Sequence, residues 1–253
     1  MPAPQNAMLI QLAKVNFASN AINLPTNWRD LGKQYPDAFS SSERMSSPNP
    51  PMTLFREATL NKYHVDTANQ IGRMFENYIE GICKAISNGI GNWMTTASIV
   101  GVVTGSPVGM VVPGNVIGPP LMPLIFKDAP TNTPQEVKYS KAISTALGTA
   151  WQAWHMGITG TLAFPSLPYV PCPNVPMPLI ALPSTGEVML SPMSLRASMN
   201  ANLGDPSALH ADPLFDAISK SFSTVFQTFK ASTIVVNVLG TAAVANGAPG
   251  CIK

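Results

Sequence analysis

The segment "GSPVGMVVPGNVIGPPLMPLIF", Gly105–Phe126, is apolar and uncharged, but glycine and proline interrupt it throughout. Proline has no backbone N–H and clashes with the preceding helical turn, so the segment cannot continue a helix. Proline also removes a ladder hydrogen bond, which argues against a central strand. We therefore expect a long extended loop with polyproline-like and turn conformations.

A second segment of this kind, "PSLPYVPCPNVPMPLIALP", occupies Pro165–Pro183. Proline-rich linkers are usually polar, whereas the spaces between these prolines hold mainly Leu, Val, Ile, Tyr and Met. The tetrapeptide MPLI occurs in both segments, at Met122–Ile125 and at Met177–Ile180. The recurrence indicates an internal repeat.

The sequence that precedes each apolar segment repeats as well. "KAIS" begins at Lys84 and at Lys141, and "DAIS" begins at Asp216. In all three copies apolar residues recur at the i, i+3, i+4 spacing of a helix with one buried face. These apolar stripes are Ile71, Phe75, Tyr78, Ile82, Ile86, Ile90 and Trp93; Ile143, Leu147, Trp151, Trp154 and Ile158; and Phe215, Ile218, Phe222, Val225, Phe226 and Phe229.

These patterns predict a mainly α protein with little β structure. The expected fold is a bundle of about three long helices, roughly at 57–101, 137–159 and 209–240, joined by long apolar Pro/Gly-rich extended loops. We expect residues 56–253 to form a single helical domain of three helix-plus-tail repeats, at about 71–126, 137–183 and 209–253. Residues 1–55 are polar and rich in Pro and Ser over much of their length, and they predict an irregular N-terminal arm.

Charge is scarce and unevenly placed. Charged residues make up 11% of the chain, and the blocks Ala85–Phe126, Ala142–Gly186 and Ala231–Ile252 contain no Asp, Glu, Lys or Arg. Loops normally run over the protein surface, so we expect these loops to be buried against other chains. The alternative is a membrane-active or membrane-inserting protein, although glycine and proline interrupt the uncharged stretch Trp93–Pro113.

The sequence contains no recognisable catalytic or cofactor motif. The histidines are His64, His155 and His210, and the segment "GDPSALHADPLFDA" matches neither the HExxH motif nor an EF-hand loop. Asp212-Pro213 predicts a helix start with Asp212 as the N-cap. Cys83, Cys172 and Cys251 are expected to be free thiols, and Cys172 lacks a recognisable base. We expect no enzymatic activity, no cofactor and no metal.

The net charge of +2 is not accompanied by a cluster of Lys and Arg, so we expect no nucleic acid partner.

The run "ALGTAWQAWHMG…FPSLPYVPCPNVPMPLIAL", Ala146–Leu182, resembles small structural proteins of contractile-tailed phages and related injection systems. The likeness covers roughly the second half of the chain. It implies a non-enzymatic tail or baseplate subunit, found in the virion or injection particle and assembled in the bacterial cytoplasm.

A protein of this kind would contact copies of itself, as a trimer or hexamer, and other tail proteins. The interface residues that we predict come from the two MPLI tails and from the second helix. They are Met122, Pro123, Leu124, Ile125, Trp151, Trp154, Pro171, Pro173, Met177, Pro178, Leu179 and Ile180.

Overall fold

The computed structural model describes residues 5–20, 59–105, 107–165, 171–206, 208, 210–241 and 243–253, with the backbone alone for 59–70. The chain divides into two compact units. Met1–Asn20 and Ile79–Lys253 form the first, and Ala21–Tyr78 forms the second. Apart from the first part of the long helix that begins at Thr59, the features described below belong to the first unit.

Helices supply most of the regular structure. They are α1 (Asn6–Ser19), α2 (Thr59–Thr96), α3 (Leu121–Phe126), α4 (Pro134–Met156), α5 (Pro192–Leu203) and α6 (Ala211–Ser232), with short 3₁₀ helices at Leu179–Ala181 and Thr185–Leu190. Local signals set several ends: Thr133 and Glu136 form a capping box at the start of α4, and Gly204 ends α5 with a φ of 62°.

Ten short strands lie between and after these helices in the part of the chain that the structure describes. They are β1 (Ser98–Ile99), β2 (Val102–Gly105), β3 (Val108–Val111), β4 (Val116–Ile117), β5 (Gly160–Ala163), β6 (Cys172–Pro173), β7 (Met177–Pro178), β8 (Ile234–Val235), β9 (Val238–Gly240) and β10 (Val244–Gly247). Six of them form an antiparallel sheet in the order β5-β3-β2-β10-β9-β6. Two further pairs, β1 with β4 and β7 with β8, are also antiparallel.

The six-stranded sheet curls around Phe164. A Cβ added to Gly109 on β3 would lie 2.8 Å from the Phe164 ring, and one added to Gly240 on β9 would lie 2.6 Å from it. Two strands separate β3 from β9, so one ring can reach both only because the sheet is strongly curved. The two edges of the sheet also meet, since the N–H of Val175, just after β6, donates to the carbonyl of Ala163 on β5 at 2.7 Å.

The predicted fold class is therefore wrong. Long helices do cover the three predicted segments, but further helices pack with them, and the apolar tails form the curled sheet instead of extended loops. The central strands β2 and β3 contain no proline, because Pro107 lies in the turn between them and Pro113 follows β3. Proline is confined to the edge strand β6 and to the two-stranded pair of β7, where a missing donor is tolerated.

The two MPLI copies have different conformations. Met122–Ile125 lies in α3, whereas Met177–Ile180 passes from β7 into a 3₁₀ helix. Helix α3 packs closely against two long helices at glycines: a Cβ on Gly89 of α2 would lie 2.8 Å from Ile125, and one on Gly148 of α4 would lie 2.7 Å from Met122. The first MPLI copy is therefore held between helices of its own chain.

Aromatic side chains form the centre of the helical core. Trp93 and Trp151 pack edge to face with ring centroids 5.2 Å apart, and Trp154 packs in the same way on Phe226 at 5.1 Å. The described parts of the three predicted stripes within this unit are buried, from Ile82 on α2 to Phe229 on α6. The helical periodicity therefore identified the core-facing residues of this unit.

Residues 6–19 lie within the segment predicted to be an irregular arm, but they form α1. This helix buries Leu9, Ala13 and Phe17 and packs on α6, where the side chain of Asn16 donates to Ser221 at 2.9 Å. Contact with α6 gives this short helix the apolar partner that it needs for stability. The remainder of the predicted arm, residues 21–55, lies outside the described residues.

Candidate functional site

The convex side of the curled sheet is a candidate interaction surface, which we call the outer sheet face. Val103 on β2 is the register partner of Met110 on β3 and of Val244 on β10. Directly opposed residues in a sheet point to the same side, so these three side chains form a row across the strands. Thr161 on β5 extends the row beyond Met110, and Leu239 on β9 lies on the same side.

The outer sheet face is apolar and well exposed. Its large side chains have exposed fractions of 62% for Val103, 57% for Met110, 49% for Leu239, 43% for Val108 and 41% for Val244. Its other strand positions are Gly105, Thr161, Ala163, Pro173 and Asn246. No charged side chain belongs to these strand positions. A contiguous exposed apolar patch of this kind is typical of an interaction surface.

The predicted interface residues are not brought together on one surface. Four have buried side chains: Ile125, Trp151, Trp154 and Leu179. Pro173 is exposed and lies on the outer sheet face opposite Leu239. The others are exposed or half-buried at separate places in the fold, namely Met122, Pro123 and Leu124 on α3, Pro171 before β6, and Met177, Pro178 and Ile180 around β7.

Sequence reasoning missed the residues of the outer sheet face. Their signal is an alternation of buried and exposed residues with a period of two. Strand β2 begins with a buried residue and β3 begins with an exposed one. With four residues in each strand, the pattern is short and competes with the Gly and Pro content that suggested loops.

Among the histidines considered from the sequence, His155 is placed in the helical core. It lies near the end of α4, is 7% exposed, and has its ring centroid 5.4 Å from that of Trp93. Its Nδ1 atom lies 3.1 Å from the carbonyl oxygen of Val116. Burial lowers the pKa of His155. The ring also borders a cavity of about 210 Å³ between α4 and the chain from Gly114 to Leu121.

The acidic residues near His210 form a structural network. Arg196 on α5 pairs with Asp212 and, at 3.2 Å, with Asp216 on α6. The Arg196 hydrogen bond helps to lower the pKa of Asp212. Among the described residues, no group of three or more His, Cys, Asp or Glu is placed to hold a metal ion. The network therefore joins two helices.

The predicted cap of α6 is placed differently. His210, with a φ of 60°, is the N-cap residue, and Asp212 lies in the first turn of the helix. There its carboxylate stabilises the positive end of the helix dipole. The side chain of His64 is outside the described residues.

No disulfide joins Cys83, Cys172 and Cys251, which all lie in the described part of the chain. Burial raises the pKa of Cys83 to about 12, and burial also raises the pKa of Cys251. Cys172 is half-buried on the edge strand β6. The two buried thiols are therefore poor nucleophiles at neutral pH.

Within the described residues, none of the helices combines the length and the apolar character that crossing a membrane requires.

No protein-family model, curated protein or solved structure matches this chain.

Proposed function

We propose that this chain is a non-enzymatic structural subunit that assembles into a symmetric homo-oligomer through the outer sheet face. The observation that carries this proposal is the row Met110–Val103–Val244, which is apolar, exposed and free of charge. Burying apolar surface yields about 25 cal/mol per Å², so covering this face stabilises an assembly.

A second copy of the chain is the partner that this face fits best. A charged partner surface would lose hydration on the outer sheet face without gaining an ion pair there. Copies of this uncharged face have no like charges to oppose one another when they meet around a symmetry axis. The sheet edges offer a poorer route, because Val175 already pairs with Ala163 across them.

The setting that we propose is a phage-like contractile tail or baseplate, with a trimer or hexamer around the particle axis. The support is the resemblance of Ala146–Leu182 to small structural proteins of such particles, together with the scarcity of charge over the apolar blocks. If this is correct, mass spectrometry of purified tail particles will detect peptides of this chain in a fixed ratio to the other tail proteins.

The test of self-association compares two methionine variants. Met110→Glu places a charge on the outer sheet face, and Met193→Glu places the same charge on α5, where Met193 is 83% exposed. We expect the wild type and Met193→Glu to be oligomeric in size-exclusion chromatography with light scattering. Met110→Glu should dissociate at least tenfold more readily, because each subunit would bury an unpaired charge at the contact.

A wild-type protein that stays monomeric at high micromolar concentration would overturn the proposal. So would a Met110→Glu protein that assembles as the wild type does. Liposome flotation addresses the alternative, a membrane-active protein: flotation of the wild type but not of Met110→Glu would assign the outer sheet face to lipid instead of to a second copy.

A further inference from the structure

The cavity beside His155 has the features of a small ligand site. It is bounded by Val116, Gly118 and Pro119 on one side and by Trp151, His155 and Met156 of α4 on the other, and none of its lining residues is charged. Its volume is about 210 Å³. That volume exceeds the roughly 150 Å³ of a cavity that takes up benzene and is below the roughly 300 Å³ of the smallest drug-sized sites.

His155 presents a hydrogen-bond acceptor at this cavity. The carbonyl oxygen of Val116 can only accept, so the Nδ1 atom of His155 at 3.1 Å must carry the proton. In the neutral ring this leaves Nε2 as an acceptor. The neutral form is favoured because the side chain is buried next to Trp93.

A buried polar group without a partner lies behind the wall of the cavity. The Nε1 atom of Trp151 is buried and has no hydrogen-bond partner in the described part of the chain, and the same holds for Trp93 and Trp154. A buried donor without a partner costs about 1–3 kcal/mol, so buried donors are normally satisfied by protein, water or ligand. Trp151 lines the cavity with other atoms of its side chain, but its Nε1 atom exposes less than 1 Å², so His155 supplies the polar contact that a ligand in the space can reach.

We propose that the cavity binds a small uncharged aromatic molecule with one hydroxyl group, of the chemical class of phenol. The hydroxyl group donates to Nε2 of His155. The ring adds to the edge-to-face cluster in which Trp93 and Trp151 already take part. A charged ligand is excluded, since the walls hold no counter-charge. This site is independent of the outer sheet face.

The experiment uses the full-length wild type with phenol, toluene and benzoate as probes. Titration calorimetry gives the affinities, and the indole N–H resonances in ¹H–¹⁵N spectra report on the tryptophans. We expect phenol to bind roughly two- to tenfold more tightly than toluene, as one net hydrogen bond provides, and benzoate not to bind. The Trp151 indole resonance should shift with phenol.

Two variants test whether the preference for phenol comes from the hydrogen-bond acceptor or from the shape of the cavity. His155→Phe keeps an aromatic ring but removes Nε2, so phenol and toluene should then bind equally. Thr149→Ala, at an exposed position of α4 that does not line the cavity, should leave the preference for phenol unchanged. If His155→Phe fails to fold, the affinities of the three probes for the wild type still test the proposal. Absence of phenol binding, equal affinities for phenol and toluene, or binding of benzoate would overturn the proposal.

Discussion

Asp216 on α6 shows how much a single residue contributes to the helical core. Its side chain is 8% exposed and pairs with Lys220 at 2.7 Å, with Arg196 on α5 at 3.2 Å, and with the amide of Asn20 after α1 at 3.0 Å. Burial by itself would raise its pKa, but the hydrogen bonds from Lys220 and Asn20 and the charges of Lys220 and Arg196 outweigh burial and lower it. One carboxylate therefore connects α1, α5 and α6.

Acid should weaken this connection. Because the folded-state pKa of Asp216 is lower than the ordinary value of 3.8, its contribution to stability is present above that value and is lost as the pH falls through the folded-state pKa. Asp216→Asn should lower the free energy of unfolding by about 1–3 kcal/mol at pH 7, as expected when a hydrogen-bonded charge is removed.

Urea unfolding between pH 7 and pH 2 measures this effect, and the variant should lose less stability on acidification than the wild type. Asp128→Asn is the matched control, since Asp128 is exposed and forms no ion pair with the described residues. A variant whose pH profile parallels that of the wild type would contradict the assignment.

At the scale of elements, the position of α3 depends on two glycines. Its first turn tolerates Pro123, since the N–H groups at the start of a helix have no intrahelical partner. Its backbone approaches α4 so closely that a Cβ on Gly148 would lie 2.9 Å from the backbone nitrogen of Met122. Side chains of any size at Gly148 or Gly89 would push α3 out of the space between α2 and α4.

Gly148→Ala should therefore destabilise the protein although alanine is the better helix former. The gain in helix propensity is about 1 kcal/mol, whereas overpacking costs typically 1–3 kcal/mol, so we expect a net loss of up to about 2 kcal/mol. Thr149→Ala on the exposed side of α4 is the control and should stabilise slightly. Chemical denaturation compares the two, and an increase in stability for Gly148→Ala would show that α3 does not pack there.

At the scale of the whole molecule, Phe164 joins strands of the sheet that are not neighbours in strand order. Its ring is 3% exposed and contacts β3 and β9, and its backbone N–H donates to the carbonyl of Pro107 at 2.8 Å. Gly109 and Gly240 leave the room that the ring fills. The curvature of the sheet thus depends on the large side chain of Phe164 and on the lack of a side chain at Gly109 and Gly240.

Replacing this ring should loosen the curl. Phe164→Ala should cost about 3–5 kcal/mol of unfolding free energy, the usual value for a buried phenylalanine that leaves a cavity. Hydrogen exchange should show faster exchange of the β5, β9 and β6 amides than of the α4 amides. If the amides of β5, β9 and β6 in Phe164→Ala exchange as slowly as in the wild type, the sheet keeps its curvature without the ring.

Much of the helical part of this fold could be predicted from sequence. A stripe such as Ile82, Ile86, Ile90 and Trp93 depends on the 3.6-residue period alone, and each of these side chains is buried. The same reasoning identified Trp151 and Trp154 as apolar contact residues but assigned them to an interface. Helical periodicity shows which face of a helix is buried, but not whether the same chain or another chain covers it.

The conformation of the apolar tails was decided by tertiary structure. MPLI is a helix where Gly89 and Gly148 make room for it, and it is a strand followed by a 3₁₀ turn where Met177 pairs with Val235 of β8. Strands of two to four residues have too few local interactions to be stable alone, so β2 and β3 depend on pairing with β10 and β5, which lie far away in the chain. Local sequence thus determined the helices, whose hydrogen bonds lie within one segment, whereas the sheet and its outer face required partners that only the folded chain brings together.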